Sequence, residues 1–189
     1  MTETAAQSLP GRLVLIVGPS GAGKDMLIDG ARQALRDDPQ FVFPRREITR
    51  PPGGAGEDYI SVSEATFNTR RQSGCYAFTW HAHGLYYGIG RAIDSALSDG
   101  KTVIVNVSRS LLPMLRQRYS HHQIIALTVP RAILHDRLRA RGRESEAEIE
   151  ERLNRAAAFT VEGKDVIKLT NDSAKLALIV KFIEILRST

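Results

Sequence analysis

The sequence lacks the features that would brace or anchor a chain from outside its own core. It has one cysteine, Cys75, so no disulfide framework can form, which fits a reducing compartment. No stretch approaches the ~18 uninterrupted apolar residues of a membrane helix; the C-terminal apolar segment is broken by Lys181 and Glu184. Met1 to Gly11 contain neither a basic n-region nor an apolar h-region, so no secretory signal is expected and a cytoplasmic location is. These residues read as a flexible N-terminus. Internal repeats and low-complexity tracts are missing too, and a disordered chain, a collagen and a coiled-coil rod are excluded. What remains is 189 residues, 42% hydrophobic and 25% charged. That is the composition of a globular domain with a real core. At about 150 residues per domain the length fits one domain, residues 12–189, with room for an inserted subdomain.

Twenty-six Lys and Arg against twenty-one Asp and Glu leave a net charge of +5. Such a balance permits nucleic-acid binding and equally suits an enzyme of polyanionic small molecules. The placement of the charges separates the two. Arg131, Arg137, Arg139, Arg141 and Arg143 are followed at once by Glu144, Glu146, Glu148, Glu150 and Glu151. A nucleic-acid groove is rarely interrupted by such a block, so neither nucleic acid nor membrane is expected as a partner.

Hydrophobic patterning alternates strands with helices. Arg12 to Val17 reads as a buried strand, Lys24 to Arg36 as a helix, and Phe41 to Ile48 as a strand interrupted by Pro44. Pro51 to Gly56 is a loop. Short strands at Tyr59–Val62 and Tyr76–Thr79 flank a helix opened by Ser63, and residues from about 45 to 90 read as the inserted subdomain. Helix 91–98, strand 101–107, helix 111–119, strand 123–129 and helix 130–141 follow. Ser145-Glu-Ala-Glu148 is a capping box opening a helix to about Phe159. A last strand spans 166–169, and Asn171-Asp-Ser173 is expected to cap a final helix with Leu176, Val180 and Ile183 on one face. The pattern predicts an α/β fold with a mostly parallel sheet and helices on both sides.

Gly18-Pro19-Ser20-Gly21-Ala22-Gly23-Lys24 fits G-x-x-x-x-G-K between a predicted strand and a predicted helix. Backbone N–H groups of such a loop cradle phosphate oxygens, the helix dipole adds positive potential, and the lysine reaches the β- and γ-phosphates. The next position, ordinarily Ser or Thr, is Asp25. Its carboxylate suits Mg²⁺ as a hard oxygen ligand, direct or through water; the other reading is that it helps cap the helix. Arg45, Arg46, Arg50, Tyr59, Tyr86 and Tyr87 are the residue types that grip a second phosphate-bearing substrate, or else a solvated charged edge. Residues 137–155 read as an arginine-rich lid, with a basic helix face paired to the glutamates as the alternative.

The phosphate loop, Thr49-Arg-Pro-Pro, Gly56-Glu-Asp-Tyr59, Ser63-Glu-Ala-Thr-Phe67 and Gly84-Leu-Tyr-Tyr-Gly88 together resemble guanylate kinase, from about Arg12 onward. The resemblance implies a three-layer P-loop NTPase fold whose inserted subdomain takes the acceptor phosphate through Arg50, Tyr59 and Tyr87. A second phosphate-gripping arginine of that family would fall at Gly53 and is missing. The carboxylates that read guanine would fall at Thr79, before Trp80, and at Ser108, with Asn106 replacing another acid. Thr and Ser cannot replace a carboxylate acceptor for guanine N1–H and N2–H₂. The Gly18–Asp25 segment, Ile48-Thr-Arg-Pro51 and Trp80-His-Ala-His-Gly-Leu-Tyr-Tyr-Gly88 resemble instead the ribose 1,5-bisphosphate phosphokinase family, relatives of guanylate kinase in which Asp follows the loop lysine. That resemblance implies ATP-dependent phosphorylation of ribose 1,5-bisphosphate to 5-phospho-α-D-ribose 1-diphosphate, with ATP and Mg²⁺ as cofactors and small molecules as substrates; it leaves the oligomeric state open.

The implied machinery is then Lys24, Asp25 and Arg141 for catalysis, and Gly18 to Asp25 with Arg137 for the nucleotide. Arg46, Arg50, Tyr59, Thr79, Tyr87 and Asn106 would hold the acceptor, and Asp25 the metal. His81 and His83, two apart on an extended chain, would point the same way towards the sugar, or simply hydrogen-bond a neighbour. The rival functions are a nucleoside-monophosphate kinase with altered base choice and a non-catalytic guanylate-kinase-like binding module.

Overall fold

The computed structural model describes residues 11–52, 58–142, 145–172 and 174–188. Gly53, Arg143 and Ser173, and the side chain of Arg141, lie outside the described residues.

The central strand is β1 (Arg12–Val17), a run in which every residue is buried. It pairs in parallel with β7 (Thr102–Asn106) and β8 (His122–Thr128). Two short partners, β2 (Phe41–Val42) and β9 (Val166–Thr170), complete a five-stranded sheet in the order β2-β7-β1-β8-β9. All four pairings are parallel. A parallel sheet needs crossover helices, which cover both faces and explain why β1 is apolar throughout rather than alternating.

On one face lie α1 (Lys24–Ala34) and α7 (Lys175–Arg187), packing Leu27, Ala31, Leu178 and Phe182 on Val14, Ile16 and Ile125. The other face, Leu13, Leu15, Val17, Val103 and Val105, is covered by α3 (Ala92–Ser98) and α4 (Leu112–Arg118) and by the inner side of a second sheet. That sheet contains β3 (Arg46–Ile48), β4 (Tyr59–Ser61), β5 (Tyr76–Ala82) and β6 (Leu85–Gly90), in the order β4-β3-β6-β5. Its outer side carries α2 (Glu64–Gln72), started by the Ser63 hydroxyl accepting from the Thr66 N–H and held by fully buried Phe67. The helices α5 (Arg131–Arg141) and α6 (Glu146–Ala157) form a hairpin with its own apolar seam of Leu134, Leu138, Ile149 and Leu153. The Ser145–Glu148 capping box is present as expected.

The three-layer α/β architecture agrees with the sequence, and the differences have local causes. The single strand expected over Phe41–Ile48 is two strands in two different sheets, because the chain leaves the main sheet at Pro44. The hairpin β5–β6 is longer than expected and includes an unforeseen strand at Leu85–Gly90. Helix α7 starts at Lys175 behind Ala174, without a side-chain cap, because Asn171 is engaged elsewhere. The packing face of α7 is Leu178, Ile179, Phe182 and Leu186, which leaves Leu176 and Val180 exposed. Among the described residues no helix is long and apolar enough to cross a membrane.

Below the sheet, Asp165 joins the approach to β9 to α4. It accepts from Arg116 Nε (2.7 Å) and Nη2 (3.0 Å), and His122 Nε2 lies 3.0 Å away. The Arg116 hydrogen bonds hold its carboxyl below the ordinary value, against a smaller opposing effect of burial. A carboxyl lowered on folding contributes stability above its unfolded pKa and loses it as pH falls through the folded value. Asp165→Asn is therefore expected to be less stable than wild type at pH 7, with the gap closing on acidification below about pH 4. Urea midpoints across that range test this; a gap independent of pH would refute it.

Candidate active site

Between β1 and α1 the chain makes its phosphate loop, Gly18 to Gly23. Gly23 is the N-cap of α1 with φ 95°, a left-handed conformation, and no side chain caps the helix. The first-turn N–H groups therefore face the loop mouth without a side-chain acceptor, the arrangement that binds anions. Lys24 folds its ammonium back across the loop, donating to the carbonyls of Gly18 (2.8 Å) and Pro19 (2.9 Å). A cation and a positive helix end thus converge on one small volume.

Asp25 does not cap α1. Its Oδ1 accepts from Arg46 Nη2 (3.0 Å) on β3 and from Asn106 Nδ2 (3.0 Å) at the end of β7. These three side chains join the phosphate loop, the main sheet and the second sheet at one carboxylate. Arg46 is 13% exposed and Asp25 33%, so the pair is partly shielded from water. The cluster opens onto a pocket continued by Asp29, Arg32 and Asp58. Arg32 bridges Asp29 (2.9 Å) and Asp58 (3.0 Å), tying α1 to the residue before β4. Burial, the largest influence, raises the Asp29 carboxyl above its ordinary value. Arg45 reaches Asp58 at 3.6 Å.

The strand register decides which second-sheet residues turn towards this pocket. Arg46 and Ile48 share a face of β3; Ile48 pairs with Tyr87, which pairs in turn with Trp80. Tyr87 is buried, stacked on Trp80 with centroids 5.0 Å apart and planes 8° from parallel. Thr79 pairs with Gly88, which also pairs with Glu47, so Thr79 belongs to the opposite face. The structure does not bring Thr79 to Asp25. The pleat has period two, and a one-residue difference in register reverses the side. His81 shares that reverse face, against Tyr86 at 4.8 Å, and His83 sits in the hairpin turn with φ 52°; the two histidines do not converge on the cleft. Arg50 lies 5.4 Å over the Tyr59 ring, whose hydroxyl donates to the Pro51 carbonyl at 2.8 Å. Ser108 caps a 3₁₀ turn at Arg109–Leu111.

The arginines of the α5–α6 hairpin divide by partner. Arg131 pairs with Glu150 and donates to Asn154, and Arg139 reaches Glu146 at 3.5 Å, so both brace the hairpin. Arg137 turns the other way and donates to Asn171 Oδ1 at 3.0 Å, while Asn171 Nδ2 donates to the Ala22 carbonyl in the phosphate loop at 2.7 Å.

Residues 10–180 match the model of the guanylate kinase family. A ribose 1,5-bisphosphate phosphokinase PhnN of Enterobacter lignolyticus is 40% identical over 181 residues, covering 95% of this chain and 94% of that protein. The chain belongs to the guanylate kinase family, in the branch of the ribose 1,5-bisphosphate phosphokinases. A bifunctional ribose 1,5-bisphosphokinase-thymidine phosphorylase of Cupriavidus pinatubonensis is 43% identical over 178 residues. This chain spans 29% of the length of that bifunctional relative. The crystal structure of guanylate kinase from Anaplasma phagocytophilum superposes with a TM-score of 0.63 at 17% identity, covering 94% of this chain and 85% of that one, a likeness of fold.

The departures from guanylate kinase divide: Asp25 and Asn106 meet with Arg46 beside the phosphate loop, whereas Thr79 lies on the reverse face of the second sheet and Ser108 caps a 3₁₀ turn. Arg50 and Tyr59 sit together beyond Arg46, and Tyr87 lies in the packed layer beneath. Asn171 was missed because an Asn just before a helix reads as a cap; only its complete burial sets it apart. Lys24→Ala is expected to lower turnover by orders of magnitude with an unchanged circular dichroism spectrum; near-normal turnover would refute its role. Gly23→Ala would place a Cβ 2.5 Å from Asn171 Nδ2 at a φ that alanine resists. ADP is expected to raise the melting temperature of wild type and not that of Gly23→Ala; an equal rise in both would refute the role of the loop.

Proposed function

We propose that this chain transfers the γ-phosphoryl group of ATP to the 1-phosphate of ribose 1,5-bisphosphate, giving 5-phospho-α-D-ribose 1-diphosphate and ADP. The observation that carries the reading is the Arg46–Asp25–Asn106 cluster. The positions at which the family's guanine-reading carboxylates would fall, Thr79, Ser108 and Asn106, carry none here. The carboxylates that line the pocket, Asp25, Asp29 and Asp58, are engaged by Arg46, Asn106 and Arg32. The near-full-length relatives named ribose 1,5-bisphosphate phosphokinase support the same acceptor.

A doubly phosphorylated pentose brings four negative charges and no base. Arg46 and Arg50, on β3 and just after it, supply the fork geometry that grips phosphate, with Tyr59 beside them. Residues 45–90 form the acceptor subdomain in this reading, and residues 137–155 a lid whose Arg137, with Arg141 at the end of α5, neutralises the nucleotide. The attacking oxygen of the 1-phosphate is already anionic, so no general base is needed. One bond forms from that oxygen to the γ-phosphorus, the bond to the β,γ-bridging oxygen breaks, and ADP leaves with the electron pair. Positioning and charge neutralisation by Lys24 and the arginines do the rest.

Among the described residues no group of three or more His, Cys, Asp or Glu gathers as a metal site. Magnesium in such enzymes takes one or two carboxylates and completes its shell with phosphates and water, and the single carboxylate of Asp25 at the loop mouth fits that donor set. When bound, the ion would neutralise charge on the nucleotide phosphates. Arg46 and Asn106 orient the carboxylate for it.

Incubation with ATP, magnesium and a panel of ribose 1,5-bisphosphate, ribose 5-phosphate, AMP and GMP, with mass analysis of the products, tests the reading. The expected result is 5-phospho-α-D-ribose 1-diphosphate as the main product; faster phosphorylation of GMP would overturn it. Asp25→Ala should raise the magnesium concentration for half-maximal rate by about tenfold, and an unchanged titration would remove the metal role.

A further inference from the structure

Asn171 is polar, carries no charge and is 1% exposed. Buried amides are costly unless both ends are satisfied, and here both are. Nδ2 donates to the Ala22 carbonyl and Oδ1 accepts from Arg137 Nη2. Its backbone N–H donates to the Thr128 carbonyl at 2.8 Å, extending the β8–β9 pairing by one residue, so the main sheet fixes where the amide stands. The phosphate loop makes room for it, because a Cβ on Gly23 would lie 2.5 Å from Nδ2. Helix α5 presses on the same loop, since a Cβ on Gly21 would lie 2.8 Å from Leu134 Cδ1. Among the described residues, Asn171 is the side-chain partner of Arg137.

We propose that Asn171 is a positioning residue that sets Arg137 of the α5–α6 hairpin in register with the phosphate loop. The proposal rests on the nucleotide-site reading above and adds to it a residue that acts through Arg137 and the phosphate loop. The chemistry demands an amide. One side must donate to a carbonyl while the other accepts from a guanidinium, and the group must stay neutral beside a polyphosphate. An aspartate would turn lone pairs against the Ala22 carbonyl and hold Arg137 in an ion pair that the nucleotide would have to break. The neutral amide holds the guanidinium in place and leaves its remaining donors for phosphate. Because the same amide holds the Ala22 carbonyl, the geometry of the loop and the direction of the arginine are set by one group.

A double-mutant cycle of Asn171→Leu and Arg137→Met tests this, read by the Kd for ADP and by KM for ATP, with melting temperature measured alongside. Each single variant is expected to weaken ADP and raise KM for ATP by about tenfold. The double variant should be no more than threefold worse than the poorer single, with KM for the sugar bisphosphate within threefold of wild type throughout. Losses that multiply to about a hundredfold in the double variant would overturn the proposal. So would a lower melting temperature with unchanged ADP affinity, which would mark Asn171 as structural only. Asn171→Ser, too short to reach either partner, replaces the leucine variant if that one does not fold, with the same expectations. ADP binding does not depend on the acceptor. If wild type fails to phosphorylate ribose 1,5-bisphosphate, the acceptor reading fails while the cycle still decides the role of Asn171.

Discussion

A loop that binds polyphosphate must keep several backbone N–H groups without internal acceptors, and the surrounding protein has to hold that arrangement open. Here β1 is clamped between β7 and β8 and buried at every residue, so the loop leaves a rigid edge. Helix α1 begins without a side-chain cap. Lys24 and Asn171 engage three carbonyls of the loop, and the Ala22 N–H donates within the loop to the Pro19 carbonyl at 3.2 Å. The anion site is the consequence of a strand that cannot move and a helix whose first turn lacks a capping side chain.

Around this site the charges are arranged in pairs that a highly charged substrate can exchange. Asp25 is gripped by Arg46 and Asn106, and Asp58 by Arg32 and Arg45. Two of these contacts, Arg46 to Asp25 and Arg32 to Asp58, bridge the main-sheet layer and the second sheet, so the second sheet is tied to the core by ion pairs that line the candidate site. The α5–α6 hairpin divides its arginines between bracing the helices and facing the loop.

The fold was legible because a parallel α/β sheet writes itself as apolar strands alternating with amphipathic helices, and the glycine-rich loop marks where the first crossover begins. The site was legible only where its chemistry is carried by contiguous residues. Gly18 to Asp25 could be read along the chain. Thr79 could not be placed, because one residue of register moves a strand side chain to the other face, and alternation in an apolar hairpin does not say which face meets the core. The engagement of Arg46 with Asp25, 21 residues apart, and of Asn106, 81 residues away, leaves no local pattern.

Asn171 marks the division most sharply. By itself the sequence determined the order of strands and helices, the phosphate loop and the excess of arginine, since periodicity and backbone conformation depend on neighbouring residues. Only the tertiary structure decided that an asparagine written like a helix cap would instead lie buried against a loop 149 residues earlier. The reason is physical: a cap is satisfied by its own helix, whereas a buried amide takes whichever donor and acceptor the packed sheet brings to it.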